Sequence, residues 1–210
     1  MNRRQSILIG AAVSVWLATV TLGMGALWEY SQAAGDPGNP IQSWPASSRL
    51  PRAGDRWTLV MAVHPHCPCS SASIGELATL MARRGTYLHA FVLFVQPQGF
   101  TESWTKSGLW RSAAAIPGVT PIVDEDGSEA RLFGAATSGQ TLVYDRAGHL
   151  SFAGGITAAR GHWGDNAGVS AIQVLLKDGG LHGAAHTPVY GCALFARNSK
   201  GAREREVCPR

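Results

Sequence analysis

Charge is scarce in this 210-residue sequence, in which Asp, Glu, Lys and Arg together make up 15% and hydrophobic residues 45%. A chain with so much apolar material and so little charge is not expected to be disordered. The net charge is +4, but the basic residues are scattered, and near the C-terminus Arg203 and Arg205 alternate with Glu204 and Glu206. The sequence therefore has no basic stripe of the kind that binds nucleic acid, and we expect no nucleic-acid partner.

Several motifs of enzymes are also missing. The sequence contains no G-x-S-x-G elbow, no P-loop and no G-x-G-x-x-G fingerprint, so hydrolase, nucleotide-binding and dinucleotide-binding functions have no support. Cysteine is rare as well, with four residues: Cys67, Cys69, Cys192 and Cys208. Four cysteines allow three pairings. Two of them stand in the run His64-Pro65-His66-Cys67-Pro68-Cys69 beside two histidines, and this cluster is the candidate functional site.

A long uncharged run occupies residues 6–28. As a helix it would be about 34 Å long, enough to cross a bilayer. Arg3 and Arg4 precede it and Glu29 follows, which predicts a single-pass inner-membrane protein with a cytoplasmic N-terminus and a periplasmic domain. A cleaved signal peptide is the alternative, with Ser31-Gln32-Ala33 as its cleavage site, but the run is longer than a signal-peptide core.

The rest of the chain divides by composition. We expect a membrane anchor over residues 1–30, a Pro-rich linker over 31–56, a folded domain over 57–180 and a tail over 181–210 that carries Cys192 and Cys208. The prolines of the linker predict an extended spacer. In an exported and oxidising compartment, Cys192 and Cys208 are expected to form a disulfide that staples the tail.

The domain alternates strand-like and helix-like segments. Predicted strands cover 57–63, 88–95, 119–123, 140–144 and 149–153, with a hairpin turn between the last two. Helices are expected from Pro68 to Arg84, over 102–115 and 128–133, and from a cap at Asp165 or Asn166 to Gly179. This order predicts an α/β fold with a mixed sheet and helices on both faces.

The cysteine cluster lies between the first strand and the first helix of the domain. Proline suits the first helical position, so Pro68 places Cys67 at or just before the helix N-terminus. Unpaired N–H groups and the helix dipole favour a thiolate there. A thiol with a lowered pKa is the usual basis of a reactive cysteine.

A strand–cysteine turn–helix unit followed by this order of elements resembles thioredoxin-like domains, in the variant found in peroxiredoxins and membrane-anchored thioredoxin-like reductases. Residues 124–134 and 142–148 are similar to their sequences. Bacterial RedB proteins resemble the chain more closely, in the cysteine cluster and in Thr137-Ser138-Gly139, Gly155-Ile156-Thr157, Arg160-Gly161-His162 and Gly191-Cys192. The resemblance implies a thioredoxin-like mixed sheet flanked by helices on both faces, preceded by one transmembrane helix.

Two positions depart from thioredoxins. Their motif is Cys-x-x-Cys, whereas here the spacing is Cys-x-Cys and Ser70 stands where the second cysteine would be. Ser138-Gly139 stands where thioredoxins have a cis-proline. The usual backbone for docking a substrate is therefore not expected in its standard form.

The first functional hypothesis is thiol–disulfide exchange with protein or small-molecule thiols and disulfides, without a cofactor. Cys67 would be the attacking thiolate, Cys69 its partner, with Ser70 behind it, and a cationic His66 or His64 would lower the pKa of Cys67. In a variant of this hypothesis Cys192 is a distant resolving thiol. A disulfide across one intervening residue is strained, and strain favours an oxidant or isomerase over a reductant.

The second hypothesis is copper or zinc binding. Thiolates and imidazoles suit these metals, and the candidate ligands are His64, His66, Cys67 and Cys69. The distant ligand would be His162, since the resemblance extends to thioredoxin-like domains that deliver copper with one distant histidine. The third hypothesis is a tethered interaction module whose cysteine pair is inert.

Overall fold

The computed structural model describes residues 2–179 and 183–195. The chain forms two compact units, separated between Ala33 and Ala34. The first unit is helix α1, Arg3–Gln32, none of whose described side chains is buried. This helix is long and apolar enough to cross a membrane, although a signal sequence near an N-terminus has the same properties.

The second unit contains one six-stranded sheet in the order β3-β2-β1-β4-β5-β6. Its strands are β1 (Trp57–Val63), β2 (Leu88–Gln96), β3 (Val119–Glu125), β4 (Gln140–Tyr144), β5 (Leu150–Gly154) and β6 (Ala185–His186). Strand β1 pairs with β2 in parallel and with β4 in antiparallel orientation, and every residue of β1 is buried. A central strand that is covered on both faces accounts for the continuous apolar run seen in the sequence.

Helices cover both faces of the sheet. They are α2 (Ser70–Arg84), α3 (Glu102–Thr105), α4 (Gly108–Ala114), α5 (Ser128–Leu132) and α6 (Ala167–Asp178). Side chains of α2, α4 and α6 pack with Leu59, Met61 and Val63 of β1 in one core. Val60 and Ala62 face the opposite core, which includes Ala130 of α5. The mixed sheet flanked on both faces is the predicted fold class, which is thereby confirmed.

The helix expected over 102–115 is interrupted. It forms the two short helices α3 and α4, and Ser107 between them has an extended backbone with φ −69° and ψ −173°. The Ser107 hydroxyl donates to the carbonyl of Pro65 at 2.8 Å, and Gly108 has a low helix propensity. A tertiary hydrogen bond at a weak helical position therefore ends one helix and starts the next. Strand β6 was not anticipated either, because two residues are too few to show a period.

Residues 34–56, most of the spacer expected over 31–56, belong to the second unit and pack against the rest of it. The amide of Gln140 donates to the Pro37 carbonyl at 2.6 Å, and the Trp44 ring lies edge-on to Phe133 and Tyr144. The buried carboxylate of Glu129 accepts hydrogen bonds from the segment as well. The prolines prevent a regular helix or strand in this segment. Its carbonyl groups can still accept hydrogen bonds, and its apolar side chains can still pack against the domain.

Candidate active site

The cysteine cluster lies in a loop of tight turns between β1 and α2. The Cys67 N–H donates to the His64 carbonyl at 3.1 Å, and the Ser70 N–H donates to the Cys67 carbonyl at 3.1 Å. Helix α2 begins at Ser70 with Cys69 as its N-cap, two residues later than the start expected at Pro68. These turns take up the residues of the predicted first helical turn. As a result Cys69, rather than Cys67, occupies the helix N-terminus.

Cys67 is fully buried, with 0% of its surface exposed. Its Sγ atom lies 3.1 Å from Sγ of Cys192. The pKa of Cys67 is held well below its usual range, mainly because its thiolate accepts a hydrogen bond from the thiol of Cys192 and, second in importance, one from the thiol of Cys69. These hydrogen bonds outweigh burial, which raises the pKa, and Ser70 adds a further hydrogen bond. The cause of the low pKa is therefore a set of neighbouring S–H and O–H donors.

Cys69 is partly exposed. Its pKa is raised, first because its thiol donates to Cys67 and second because of its own burial. Arg160 opposes this rise through its positive charge and a hydrogen bond to the thiol. The reduced site therefore favours one thiolate, on Cys67, with Cys69 protonated beside it.

Cys192 reaches the site through a short pairing of the C-terminal segment with residues 137–138. The Ser138 N–H donates to the Cys192 carbonyl at 2.8 Å, and Thr137 and Ala193 form an antiparallel bridge. Gly191 lies so close to the Ser138 carbonyl that a Cβ atom would collide with it. Cys208, the partner expected for Cys192, lies outside the described residues.

Ser138 connects the two halves of the site, namely the cysteine turn after β1 and the C-terminal segment that carries Cys192. Its Oγ atom accepts the His64 backbone N–H at 2.7 Å and lies 2.7 Å from Oγ of Ser70. Ser70 and Ser138 are both fully buried. Ser70, predicted from the sequence, thus lies between Cys67 and a serine for which the sequence offered no role.

The two histidines of the cluster face Trp104. The His66 ring lies 4.6 Å from the Trp104 ring, and its Nε2 atom is 3.0 Å from the Trp104 carbonyl oxygen. The pKa of His64 is lowered, mainly by burial, and its Nδ1 atom accepts the His66 backbone N–H. His64 is therefore neutral, and the hydrogen bonds to Cys67, rather than an imidazolium at this position, account for the low pKa of the thiol.

The motif Arg160-Gly161-His162 contributes Arg160 to the site. The Arg160 guanidinium donates to the Gly191 carbonyl at 2.6 Å and also contacts Cys69. His162, the predicted distant metal ligand, is exposed. Among residues 2–179 and 183–195, no group of three or more Cys, His, Asp or Glu side chains is placed to hold a metal ion.

The sequence did not assign Ser138, Arg160 or, as its first choice, Cys192 to the site. Each belongs to a short segment quoted above for its similarity to RedB proteins, and the structure brings these segments together around Cys67. The similarity of these short segments to RedB proteins was the signal by which the sequence could have pointed to these residues.

The sheet has parallel strands β1, β2 and β3 followed by the antiparallel hairpin β4–β5, and the cysteine turn lies at the end of β1. This topology is that of a thioredoxin-like fold. No protein-family model and no curated protein matches the sequence. Solved structures do match. A hypothetical protein from Sinorhizobium meliloti has 20% identity and a TM-score of 0.54, covering 77% of this chain and 93% of its own.

An uncharacterised conserved protein from Geobacillus kaustophilus has 17% identity and a TM-score of 0.55, covering 80% of this chain and 94% of its own. A secreted disulfide oxidoreductase from Mycobacterium tuberculosis matches with 13% identity and a TM-score of 0.40, over 53% of this chain and 81% of its own. At these identities the likeness concerns the fold. Any activity has to be argued from the site itself.

Proposed function

We propose that this chain is an exported, membrane-tethered, RedB-like thiol–disulfide oxidoreductase that uses the turn Cys67-Pro68-Cys69. Its substrates are thiols and disulfides of proteins or small molecules, and it needs no cofactor. The observation that carries the proposal is the environment of Cys67, a buried sulfur whose Sγ atom lies 3.1 Å from Sγ of Cys192 and whose pKa is lowered by hydrogen bonds with Cys192, Cys69 and Ser70. A thiolate held in this way is the nucleophile and leaving group that exchange chemistry requires.

The difference in burial between Cys67 and Cys69 supports a different task for each. Cys67 has no exposed surface, so a substrate sulfur meets Cys69, which is partly exposed at the N-terminus of α2. In the oxidised protein a substrate thiolate attacks Sγ of Cys69. The Cys67–Cys69 bond breaks, Cys67 leaves as a thiolate, and a mixed disulfide joins Cys69 to the substrate.

A second substrate thiolate then attacks the substrate sulfur of the mixed disulfide. The substrate leaves as a disulfide, and Cys69 departs as a thiolate that takes up a proton. The two electrons lost by the substrate thiols are now held by Cys67 and Cys69. The reverse sequence reduces a substrate disulfide.

Two features favour the oxidising direction. A stabilised Cys67 thiolate favours the reduced form of the protein, and a pair whose reduced form is stabilised is a strong oxidant. A disulfide between residues separated only by Pro68 departs from relaxed geometry, which makes it easier to reduce. We therefore expect the protein to oxidise substrate thiols or to rearrange their disulfides.

The tether rests on α1 and the charges beside it. The apolar run 6–28 has Arg3 and Arg4 before it, which supports a cytoplasmic N-terminus and a domain on the periplasmic side. Mass spectrometry of the N-terminus of the membrane-associated protein tests this, because a cleaved signal peptide would leave a chain that begins after Ala33.

Copper or zinc binding stays a prediction for the same cluster. Metal content per protein after addition of Cu(I) or zinc, with and without His162→Ala, measures the alternative directly.

The exchange proposal is tested with the full-length protein in detergent, oxidised and mixed with a dithiol peptide. We expect Cys67→Ser to abolish oxidation of the peptide and Cys69→Ser to reduce it strongly, whereas Cys208→Ser serves as a matched control and retains the wild-type rate. His66→Asn tests the predicted role of that residue in the same assay. A Cys67→Ser protein that oxidises the peptide at the wild-type rate would refute the proposal.

A further inference from the structure

The third cysteine of the described residues lies within hydrogen-bond distance of the first. Sγ of Cys192 is 3.1 Å from Sγ of Cys67, and a disulfide bond is about 2.05 Å long. An approach of about 1 Å would therefore join them. The two residues are 125 positions apart in the sequence, so this proximity is a product of the tertiary structure.

The position of Cys192 is fixed by the residues on either side of it. The Leu194 N–H donates to the Ala136 carbonyl at 2.9 Å, and the Cys192 carbonyl accepts the Ser138 N–H at 2.8 Å. Arg160 donates to the Gly191 carbonyl at 2.6 Å. The segment is thus held at Gly191, Cys192 and Leu194, and Cys192 is presented to Cys67 by hydrogen bonds that do not involve its own thiol.

The geometry points to Cys192 as a third redox cysteine, which competes with Cys69 for the disulfide bond to Cys67. This inference rests on the proposed exchange function and adds a second disulfide to it. In the oxidised protein the Cys192 thiolate attacks Sγ of Cys67, a Cys67–Cys192 bond forms, the Cys67–Cys69 bond breaks, and Cys69 leaves as a thiolate. One disulfide replaces another, and the proton lost by Cys192 is gained by Cys69, so no outside oxidant or reductant is needed.

The two disulfides differ in strain and in what they expose. The Cys67–Cys69 bond closes a ring across one residue, whereas the Cys67–Cys192 bond links distant segments and carries no short-ring strain. The oxidised protein therefore rests with Cys67 and Cys192 joined, and it presents Cys69 as a thiol beside Arg160. The form with the strained Cys67–Cys69 bond oxidises a substrate. The form with the Cys67–Cys192 bond has the same oxidation state and keeps its disulfide away from the substrate.

Disulfide mapping of the full-length protein tests the inference. The protein in detergent is equilibrated with glutathione and glutathione disulfide, remaining thiols are alkylated, and the peptides are identified by mass spectrometry. We expect a peptide pair joined through Cys67 and Cys192 as the main oxidised product of the wild type. Oxidised protein that contains only the Cys67–Cys69 bond, or a Cys192–Cys208 bond, would overturn the inference.

Single variants separate the two bonds. Cys69→Ser should form only the Cys67–Cys192 bond and Cys192→Ser only the Cys67–Cys69 bond, and the matched control Cys208→Ser should behave like the wild type. The equilibrium constant for oxidation by glutathione disulfide should be at least about tenfold larger for Cys69→Ser than for Cys192→Ser, a difference of about 30 mV. Equal constants would contradict the assignment.

The failure of this inference can be told apart from the failure of the exchange function. If Cys192→Ser oxidises the dithiol peptide and its reduced and oxidised forms match those of the wild type, exchange stands and Cys192 has no redox part. If the Cys67–Cys192 bond forms but oxidised wild-type protein never oxidises the peptide, the disulfide stands and the exchange function falls.

Discussion

Replacement of Ser138 by alanine tests how the two halves of the site are held together. The Ser138 hydroxyl oxygen accepts the His64 N–H at 2.7 Å and pairs with the Ser70 hydroxyl at 2.7 Å. Ser138→Ala leaves the His64 N–H without its acceptor and the buried Ser70 hydroxyl without one of its partners. A buried polar group left without a partner costs about 1–3 kcal/mol.

The expected loss in the free energy of unfolding is about 2–4 kcal/mol. The upper end of this range lies below the sum of two full penalties because the Ser70 hydroxyl keeps its hydrogen bond to Cys67 and because His64 is only half-buried. A small domain is typically stable by about 5–15 kcal/mol, so the effect is large. Urea unfolding of the reduced full-length protein in detergent, followed by tryptophan fluorescence, should show a lower midpoint with an unchanged slope.

Ser103→Ala is the matched control for this measurement. The Ser103 hydroxyl pairs with Thr101 at 2.8 Å at an exposed position, so its removal should change the stability by less than about 0.5 kcal/mol. If Ser138→Ala is no more destabilising than Ser103→Ala, the hydrogen bonds of Ser138 do not hold the site together, and the reasoning is refuted.

Arg160→Ala removes the guanidinium that opposes the raised pKa of Cys69, so alkylation of Cys69 near pH 8 should slow severalfold. The control Arg146→Ala, in the β4–β5 turn, should leave the alkylation rate unchanged. Equal rates in the wild type and in both variants would count against the contact between Arg160 and Cys69. The reduced protein should gain stability as the pH rises toward about 8.5, the pKa of an unfolded thiol, because Cys67, its pKa lowered by hydrogen bonds from neighbouring thiols, is ionised when folded and protonated when unfolded. Above that pH the trend should reverse, because Cys69 has a raised pKa and stays protonated when folded; urea unfolding across this range measures both limbs, and a rising limb that persists in Cys67→Ser would contradict the assignment. Asn166→Ala removes a 2.8 Å cap hydrogen bond at the start of α6 and should lower the free energy of unfolding by about 1 kcal/mol, whereas Asn166→Asp should keep most of it; a loss of the same size in both variants would argue against the cap.

The reduced site differs from the one expected for a cysteine at a helix N-terminus. The thiolate lies inside the fold, on Cys67, and the sulfur nearest the helix N-terminus, on Cys69, is protonated. Neighbouring hydrogen-bond donors thus prevail over the helix dipole, since they contact the sulfur directly while the dipole acts from a distance. This arrangement separates the sulfur that meets a substrate from the sulfur that holds the charge.

The sequence alone determined the local elements that build the site. The apolar run 57–63 predicted the strand β1 with its observed bounds, because a strand buried on both faces needs an unbroken apolar run. The spacing of Ile74, Leu77, Ala78 and Met81 at i, i+3, i+4 and i+7 predicted α2. Ile74, Leu77 and Met81 are buried in the structure, and Ala78 is partly buried against the same core. The cluster of two cysteines and two histidines lies between this strand and this helix. Its identification required no tertiary information, because its members are neighbours in the sequence.

The tertiary structure decided which groups surround Cys67. Ser138 is 68 positions from Ser70 in the sequence, and Cys192 is 125 positions from Cys67. No periodicity or turn preference acts over such distances. Their places follow from the register of β4 against β1 and from the pairing of the C-terminal segment with residues 137–138. The start of α2 at Ser70 reflects both levels, because hydrogen bonds between residues three apart form the turns before it and Ser138 accepts the His64 N–H from a distant part of the chain. Local sequence therefore specifies which elements form, whereas the chemistry of the thiol depends on long-range packing that brings distant donors to one atom.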